Sequence, residues 1–177
     1  MGNRSVTRER VTVSLIASAF LILLYCFIFD LSGQSGEDSG DLSRFITGKC
    51  ISFVESLRGR NWSEASREAL VLYFEHPVRK AAHFAEYACM GVLVYVLLRP
   101  WMDRGKRLYA VTIGWVAVSA ALDEFHQAFI PMRYASPADV CLDTFGGACA
   151  VGVCVLFEAG VRAGRKAVKR KKQHRKK

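Results

Sequence analysis

Long apolar blocks, one of them free of charge, place the strongest constraint on what this chain can fold into. Residues 11–29 contain no charged side chain, and a helix needs about 20 apolar residues to cross the hydrocarbon core of a membrane. Blocks of similar length follow at about 81–98, 108–129 and 139–157. Their inner parts are apolar on all sides, whereas a soluble bundle keeps a polar stripe along each helix. We therefore predict an all-α polytopic membrane protein with four transmembrane helices, the first retained rather than cleaved as a signal peptide.

Basic residues are concentrated on one side of this four-span arrangement. Of 25 lysines and arginines, 17 lie in the N-terminal tail 1–10, the loop 99–107 and the basic tail 158–177. The positive-inside rule places these segments in the cytoplasm of a bacterial inner membrane, with both termini cytoplasmic and residues 30–80 outside. The basic tail can rest on anionic lipid headgroups. It carries no interleaved aromatic residues, so we predict the lipid bilayer, and no nucleic acid, as its partner.

The external segment 30–80 is too long for a simple turn. Its apolar residues stand among polar ones, which predicts short interfacial or re-entrant helices between the first and second spans. The run 61–64 (Asn-Trp-Ser-Glu) indicates a helix start with a capping-box-like glutamate, leading into 65–74. The six cysteines include no C-x-x-C pair, which argues against a disulfide framework and a zinc site.

Ionisable residues in the last three blocks fall at one depth. Glu86, Asp123 and Asp143 each lie six to eight residues inside the outer end of their block, which is roughly 10 Å at 1.5 Å per residue. An acid that faces lipid near the middle of a span costs about 2.5–3.5 kcal/mol. These side chains should therefore face the bundle interior or a water-filled cavity, with Arg79, Lys80 and Arg133 as counter-charges. The residues that share the inward faces are Lys80, His83, Glu86 and Tyr87 in the second block, Asp123, Glu124, His126 and Gln127 in the third, and Asp139 and Asp143 in the fourth.

Each part of this pattern also has a structural interpretation. Residues 136–139 (Ser-Pro-Ala-Asp) are typical of a helix start, with Asp139 completing a capping box. The small residues between Gly146 and Gly152 are typical of close helix packing. The one-turn spacing of His83 and Glu86, and of Asp123 and His126, also occurs in metal-binding bundles. That spacing is common by chance, so we predict no metal and no cofactor.

Four motifs together resemble the VanZ-like family. The most specific is Asp123-Glu124-Phe125-His126-Gln127-x-Phe129-x-Pro131-x-Arg133. The others are Ser32-x-Gln34, Lys80-x-x-His83-x-x-x-Tyr87 and Asp139-Val140-x-x-Asp143-x-x-Gly146. The chain departs from the family pattern at two positions. Met132 stands where a glycine often precedes the arginine, which should stiffen the loop. Asp143 stands where asparagine is frequent, which adds an acid to the site.

The resemblance implies a four-helix inner-membrane protein associated with low-level resistance to glycopeptide antibiotics of the teicoplanin type. It does not decide whether the protein is an enzyme. The leading hypothesis is a binding or acid/base site open to the outer leaflet, acting on a cell-envelope component, such as a lipid headgroup or lipid-linked cell-wall intermediate, or on an amphiphilic drug. The candidate catalytic residues are Glu124, Gln127, His83 and Asp123, and the candidate binding residues are Lys80, Glu86, Tyr87, His126, Arg133, Asp139 and Asp143.

Two other hypotheses remain open. In the first, the protein is a non-enzymatic scaffold whose polar layer is structural and whose external segment docks a partner. In the second, it is a proton-coupled transporter, which four helices without an inverted repeat could form only as a dimer.

Overall fold

The computed structural model of the protein describes the backbone of residues 2–174 and the side chains of residues 7–168. Over that backbone range every regular element is a helix. The helices are α1 (Gly2–Ser32), α2 (Gly36–Arg58), α3 (Glu64–Leu98), α4 (Lys106–Gln127) and α5 (Pro137–His174). All except α2 are long and apolar enough to cross a membrane. The predicted all-α fold with four spans is therefore confirmed.

Helix α3 is the centre of the bundle. It packs against each of the other four helices, and most extensively against α5. Tyr87 and Met90 of α3 form one core cluster with Leu21 of α1 and Val116 of α4, and all four are almost completely buried. Elsewhere the membrane-spanning helices keep most of their apolar side chains on the outside of the bundle, where lipid can cover them.

Close approach of α3 and α5 depends on glycine. A Cβ atom on Gly146 would lie 2.5 Å from the Phe84 carbonyl oxygen, and one on Gly91 would lie 2.8 Å from the Gly147 carbonyl oxygen. Both distances are shorter than any ordinary contact, so a larger residue would force the helices apart. The predicted close packing through small residues is thus confirmed at Gly146 and Gly147, whereas Gly152 faces open space.

The segment between the first and second spans is more continuous than predicted. Instead of short helices, it forms α2, which has 23 residues, and an extension of α3 that begins at Glu64. Ser63 is the N-cap of α3, and its hydroxyl accepts a hydrogen bond from the Ser66 amide. The helix start predicted at 61–64 is confirmed, although the capping residue is Ser63 and its partner is Ser66. The helix then runs through Pro77 without ending.

Helix α2 and the first part of α3 form an antiparallel pair, which we call the α2–α3 hairpin (residues 36–80). Two ion pairs connect its helices, Arg44 with Glu75 at 3.3 Å and Arg67 with Glu55 at 3.8 Å. The first residue of α2 docks on the connection between α4 and α5, where the Gly36 amide donates to the Pro131 carbonyl at 3.1 Å.

The two ends of the bundle differ in chemistry. At the basic end, Arg99 and Arg104 both pair with Glu158 of α5, and the Trp101 indole donates to the Ser14 hydroxyl at 2.6 Å. These contacts bring the early part of α1 and the later part of α5 to the same end, as four spans require. Arg4 and the basic residues from Lys169 to Lys177, which contributed to the predicted orientation, lie outside the residues whose side chains are described.

Candidate functional site

The end of the bundle beside α2 carries the polar residues that the sequence singled out, and we call them the polar layer. These residues lie in α3, α4, the α4–α5 connection and α5, and contacts between these elements connect them. Lys80 forms an ion pair with Asp139, which joins α3 to α5. Asp143 is almost completely buried in the electrostatic neighbourhood of Asp123 and Glu124. The structure therefore brings together residues that are distant in the sequence. The polar layer consists of Lys80, His83, Glu86, Tyr87, Asp123, Glu124, His126, Gln127, Arg133, Asp139 and Asp143.

Glu124 connects the end of α4 to the start of α5. Only 5% of its surface is exposed, and its Oε2 atom accepts a hydrogen bond of 2.7 Å from the Ser136 amide. In the predicted capping box, Asp139 would accept from this amide. The structure gives that position to Glu124 instead, and Asp139 pairs with Lys80. Glu124 thus has an observed structural contact in addition to any chemical role.

Two residues attach the end of α1 to the polar layer. Gln127 Nε2 donates to the buried Ser32 hydroxyl at 3.3 Å and to Asp123 Oδ2 at 3.0 Å. Arg133 Nη2 donates to the Leu31 carbonyl at 3.0 Å, which satisfies one of the free carbonyls at a helix C-terminus. Ser32 was part of the family resemblance but was not among the predicted site residues. Its position immediately after an apolar block is the signal that could have identified it.

A cavity of about 370 Å³ lies between α1, α2 and α3, and we call it the α2-side cavity. Within the described part of the chain, the buried His83 Nδ1, Arg79 Nε and Arg133 Nε atoms have no hydrogen-bond partner. The nearest carboxylate oxygen to His83 Nδ1 among the ion pairs, Glu86 Oε2, is 3.6 Å away, which is too long for a hydrogen bond. These three atoms are inaccessible to water, but the side chains that carry them line the cavity and give it a polar end. Its polar lining residues are Gln34, Arg79, His83, Glu86 and Arg133.

Charges of both signs surround the Arg133 guanidinium. Burial, followed by the charge of the neighbouring Arg79, lowers the pKa of Arg133 from its ordinary value, whereas the charges of Asp123, Glu124 and Glu86 oppose that shift. Arg79 itself pairs with Glu75 at 2.5 Å, whereas no carboxylate within residues 7–168 forms an ion pair with Arg133. Two guanidinium groups therefore lie close together, one of them without an ion-pair partner, and such a pair can bind a phosphate or carboxylate.

A second cavity, of about 440 Å³, lies between α1, α3 and α4, and we call it the α4-side cavity. Tyr87, Asp123 and His126 line its polar part. The His126 ring stacks on Phe29 with centroids 4.7 Å apart, and its buried Nδ1 atom has no partner among the described residues. The sequence predicted one site, but the end of α1 divides the polar layer, because Phe29 lines this cavity and Leu31 lines the other.

The metal-like spacing in the sequence does not produce a ligand cluster here. Within residues 7–168, no three His, Cys, Asp or Glu side chains are grouped so that they could hold a metal ion. The polar layer can instead supply hydrogen-bond donors, cationic groups and buried carboxylates, which suits binding and proton transfer.

Comparison with known proteins identifies a family. A family model described as VanZ/LLP1 matches residues 17–158, which is most of the chain and includes the whole polar layer. No curated protein and no solved structure matches the sequence.

Proposed function

The chain belongs to the VanZ/LLP1 family, and from that membership and its four membrane-spanning helices we propose that its polar layer is a binding site for an anionic amphiphile of the bacterial cell envelope. The ligand class includes lipid headgroups, lipid-linked cell-wall intermediates and acylated glycopeptide antibiotics. Recognition of such a molecule would account for the teicoplanin-type resistance that the family resemblance implies.

The observation that carries this proposal is the pair of arginines that line the α2-side cavity. Arg79 pairs with Glu75, whereas Arg133 has no ion pair among the described residues. A phosphate or carboxylate would bind these guanidinium groups, and charge-assisted hydrogen bonds of this kind are roughly twice as strong as neutral ones. The cavity also has apolar walls, including Phe27 and Leu42, as an amphiphile requires.

In this proposal each polar residue has a role. Arg133 binds the anionic group and His83 orients the ligand, because both line the α2-side cavity. Gln127 acts indirectly, through its hydrogen bonds to Ser32 and Asp123. Glu124, together with Asp123, is the proton acceptor or hydrogen-bond anchor of an acid/base step. The remaining members of the polar layer set the charge balance and shape of the site; they are Lys80, Glu86, Tyr87, His126, Asp139 and Asp143.

We also propose that the polar layer faces outward from a bacterial inner membrane, with both termini in the cytoplasm. The basis is the excess of lysine and arginine in the tails and in the loop 99–107, because positively charged segments near spans stay in the cytoplasm. A ligand of the outer leaflet would then reach the polar layer without crossing the bilayer.

The test compares two arginine variants of the full chain. Arg133→Gln keeps a donor for the Leu31 carbonyl but removes the charge, and we expect it to abolish protection against teicoplanin at unchanged membrane abundance. Arg60→Gln, on the exposed connection between α2 and α3, is the matched control and should behave as wild type. Full protection by the Arg133 variant, or an equal loss in both variants, would contradict the proposal.

A structural role for the polar layer is the second candidate, favoured by the contacts of Glu124 with Ser136 and of Lys80 with Asp139. Here the protein would be a scaffold that docks a partner on the α2–α3 hairpin. Replacing residues 36–78 by the same segment of a relative, with Arg79, Lys80 and the bundle unchanged, should then abolish function, while Arg133→Gln should leave it unchanged. The two candidates therefore predict opposite results for the same variant.

A further inference from the structure

A third cavity lies inside the α2–α3 hairpin, away from the polar layer, and we call it the hairpin groove. Its volume is about 340 Å³, and its walls are almost entirely apolar. The Thr47 hydroxyl in its wall donates to the Ser43 carbonyl at 2.7 Å, so this residue needs no polar ligand. The main lining residues are Thr47, Ile51, Val54, Trp62, Leu70 and Phe74.

The hairpin groove adjoins the α2-side cavity. Val78 lines both. Along α2 the lining residues pass from Ser43 and Ile46 of the α2-side cavity to Thr47 and Cys50 of the groove, with no break in sequence. Along α3 the distance from Arg79 to Glu64, the first residue of the helix, is about 22 Å at 1.5 Å per residue, and Trp62 lies just before that residue. An apolar path therefore leads from the two arginines toward Trp62.

Charge and apolarity restrict what could occupy this path. One end presents the guanidinium groups of Arg79 and Arg133, which complement a phosphate group. The rest of the path offers apolar contact. A hydrocarbon chain attached to a phosphate matches both parts. At the far end, Arg58 lies over the Trp62 ring at 5.5 Å.

We propose that the hairpin groove holds the hydrocarbon chain of a phosphate-bearing amphiphile whose headgroup lies at Arg79 and Arg133. This inference rests on the proposed function and adds to it the chemical class of the ligand and the location of its chain. It makes the α2–α3 hairpin the part of the protein that distinguishes a long-chain amphiphile from a short-chain or chainless anion.

The experiment uses Trp62 as a built-in reporter of the chain. Full-length protein in micelles of an uncharged sugar detergent is titrated with ω-bromohexadecyl phosphate, because a bromine atom quenches an indole that it contacts. We expect a saturable loss of fluorescence that is absent in Trp62→Phe. The same chain on a trimethylammonium headgroup should produce no saturable component. Equal saturable quenching by the cationic amphiphile would overturn the proposal.

Matched cysteine variants test whether the chain lies in the groove. Cys50→Phe places a ring in the groove, whereas Cys26→Phe makes the same change at an exposed position of α1 that lines none of the three cavities. We expect Cys50→Phe to abolish the saturable quenching and Cys26→Phe to retain it. Arg133→Gln should raise the half-saturating concentration roughly tenfold, the equivalent of one charge-assisted contact. Unchanged quenching in Cys50→Phe would refute the chain site.

Butyl phosphate separates failure of this inference from failure of the proposed function, because it has a phosphate but too short a chain to reach Trp62. Arg133-dependent binding of butyl phosphate in wild type and in Cys50→Phe alike, measured by calorimetry, supports the headgroup site. If butyl phosphate binds in this way but the bromohexadecyl chain does not quench Trp62, only the groove assignment is wrong. If neither phosphate binds, the headgroup site itself is wrong.

Discussion

Met132 has a backbone φ of 60°, the single non-glycine residue with a positive φ in the part of the chain that the structure describes. This left-handed turn brings the Met132 carbonyl against Gly36, where a Cβ atom would lie 2.1 Å from the oxygen. Docking of α2 on the α4–α5 connection thus depends on both residues. The same geometry gives a physical reason for the glycine that the family resemblance led us to expect at position 132.

Replacing Met132 by glycine should stabilise the protein. A left-handed conformation costs a non-glycine residue about 1–2 kcal/mol, and glycine removes this cost. The greater freedom of glycine in the unfolded chain cancels about 0.4–1 kcal/mol of the resulting gain in stability. The Met132 side chain is 70% exposed, so little packing is lost. We expect a net gain of about 0.5–1 kcal/mol in the free energy of unfolding in detergent. Tyr134→Gly, at an exposed position of the same connection with ordinary φ, should lose stability, and the prediction is wrong if both variants lose it.

Glu124 has an observed structural contact and a proposed chemical role, and one pair of variants separates them. Glu124→Gln keeps an oxygen that can accept from the Ser136 amide, so its unfolding free energy should stay within about 1 kcal/mol of wild type. Glu124→Ala leaves that amide unpaired and should lose about 1–3 kcal/mol. If Glu124 is a proton acceptor, the glutamine variant is folded but gives no antibiotic protection in a susceptibility assay. Full protection by that variant would mean that Glu124 has a structural role and no role in proton transfer.

At the scale of the helices, the sequence predicted the spans and the shared depth of the polar residues, because both follow from hydropathy and the 3.6-residue period. It did not predict that α3 continues through Pro77, since proline removes a helix hydrogen bond and clashes with the preceding turn. Tertiary contacts on both sides of Pro77, such as the ion pair of Glu75 with Arg44, offset that cost. The division of the polar layer by α1 was also not predictable, because periodicity gives the inward face of a helix but not the order of its neighbours.

The α3–α5 contact should respond to a single methyl group at one glycine and not at another. Gly146→Ala places its Cβ 2.5 Å from the Phe84 carbonyl oxygen, whereas Gly152→Ala on the same helix enters open space. We expect Gly146→Ala to destabilise the protein by about 1–3 kcal/mol, as overpacking does, and Gly152→Ala to be neutral or slightly stabilising. Unfolding monitored by circular dichroism in detergent measures both. Similar values for the two variants would mean that the close approach of the helices is not required for stability.

The whole molecule is asymmetric across the membrane. Helix α3 has 35 residues, which is about 52 Å at 1.5 Å per residue, whereas the hydrocarbon core is about 30 Å thick. Its first part, paired with α2, must therefore extend beyond the core at the polar end, unless the helix tilts strongly. At the basic end the extension is not a helix pair but a single helix, because α5 continues from Glu158 to His174; Glu158 itself binds Arg99 and Arg104 close to the end of α3. The polar layer consequently lies near the base of a projecting hairpin, at a depth that a lipid headgroup can reach.

Reporter fusions test the orientation on which the outward-facing site depends. Alkaline phosphatase is active only after export, so a fusion after Gly59, between α2 and α3, should be active. Fusions after Asp103 and after Lys177 should be inactive, because 17 of the 25 basic residues lie in the tails and the loop 99–107 and hold those segments in the cytoplasm. Green fluorescent protein at the same three positions should give the opposite pattern. Activity after both Gly59 and Lys177 would contradict an even number of spans. Activity after Lys177 but not after Gly59 would mean that the four spans exist but have the opposite orientation. The polar layer would then lie at the cytoplasmic surface, where a ligand of the outer leaflet could not reach it directly.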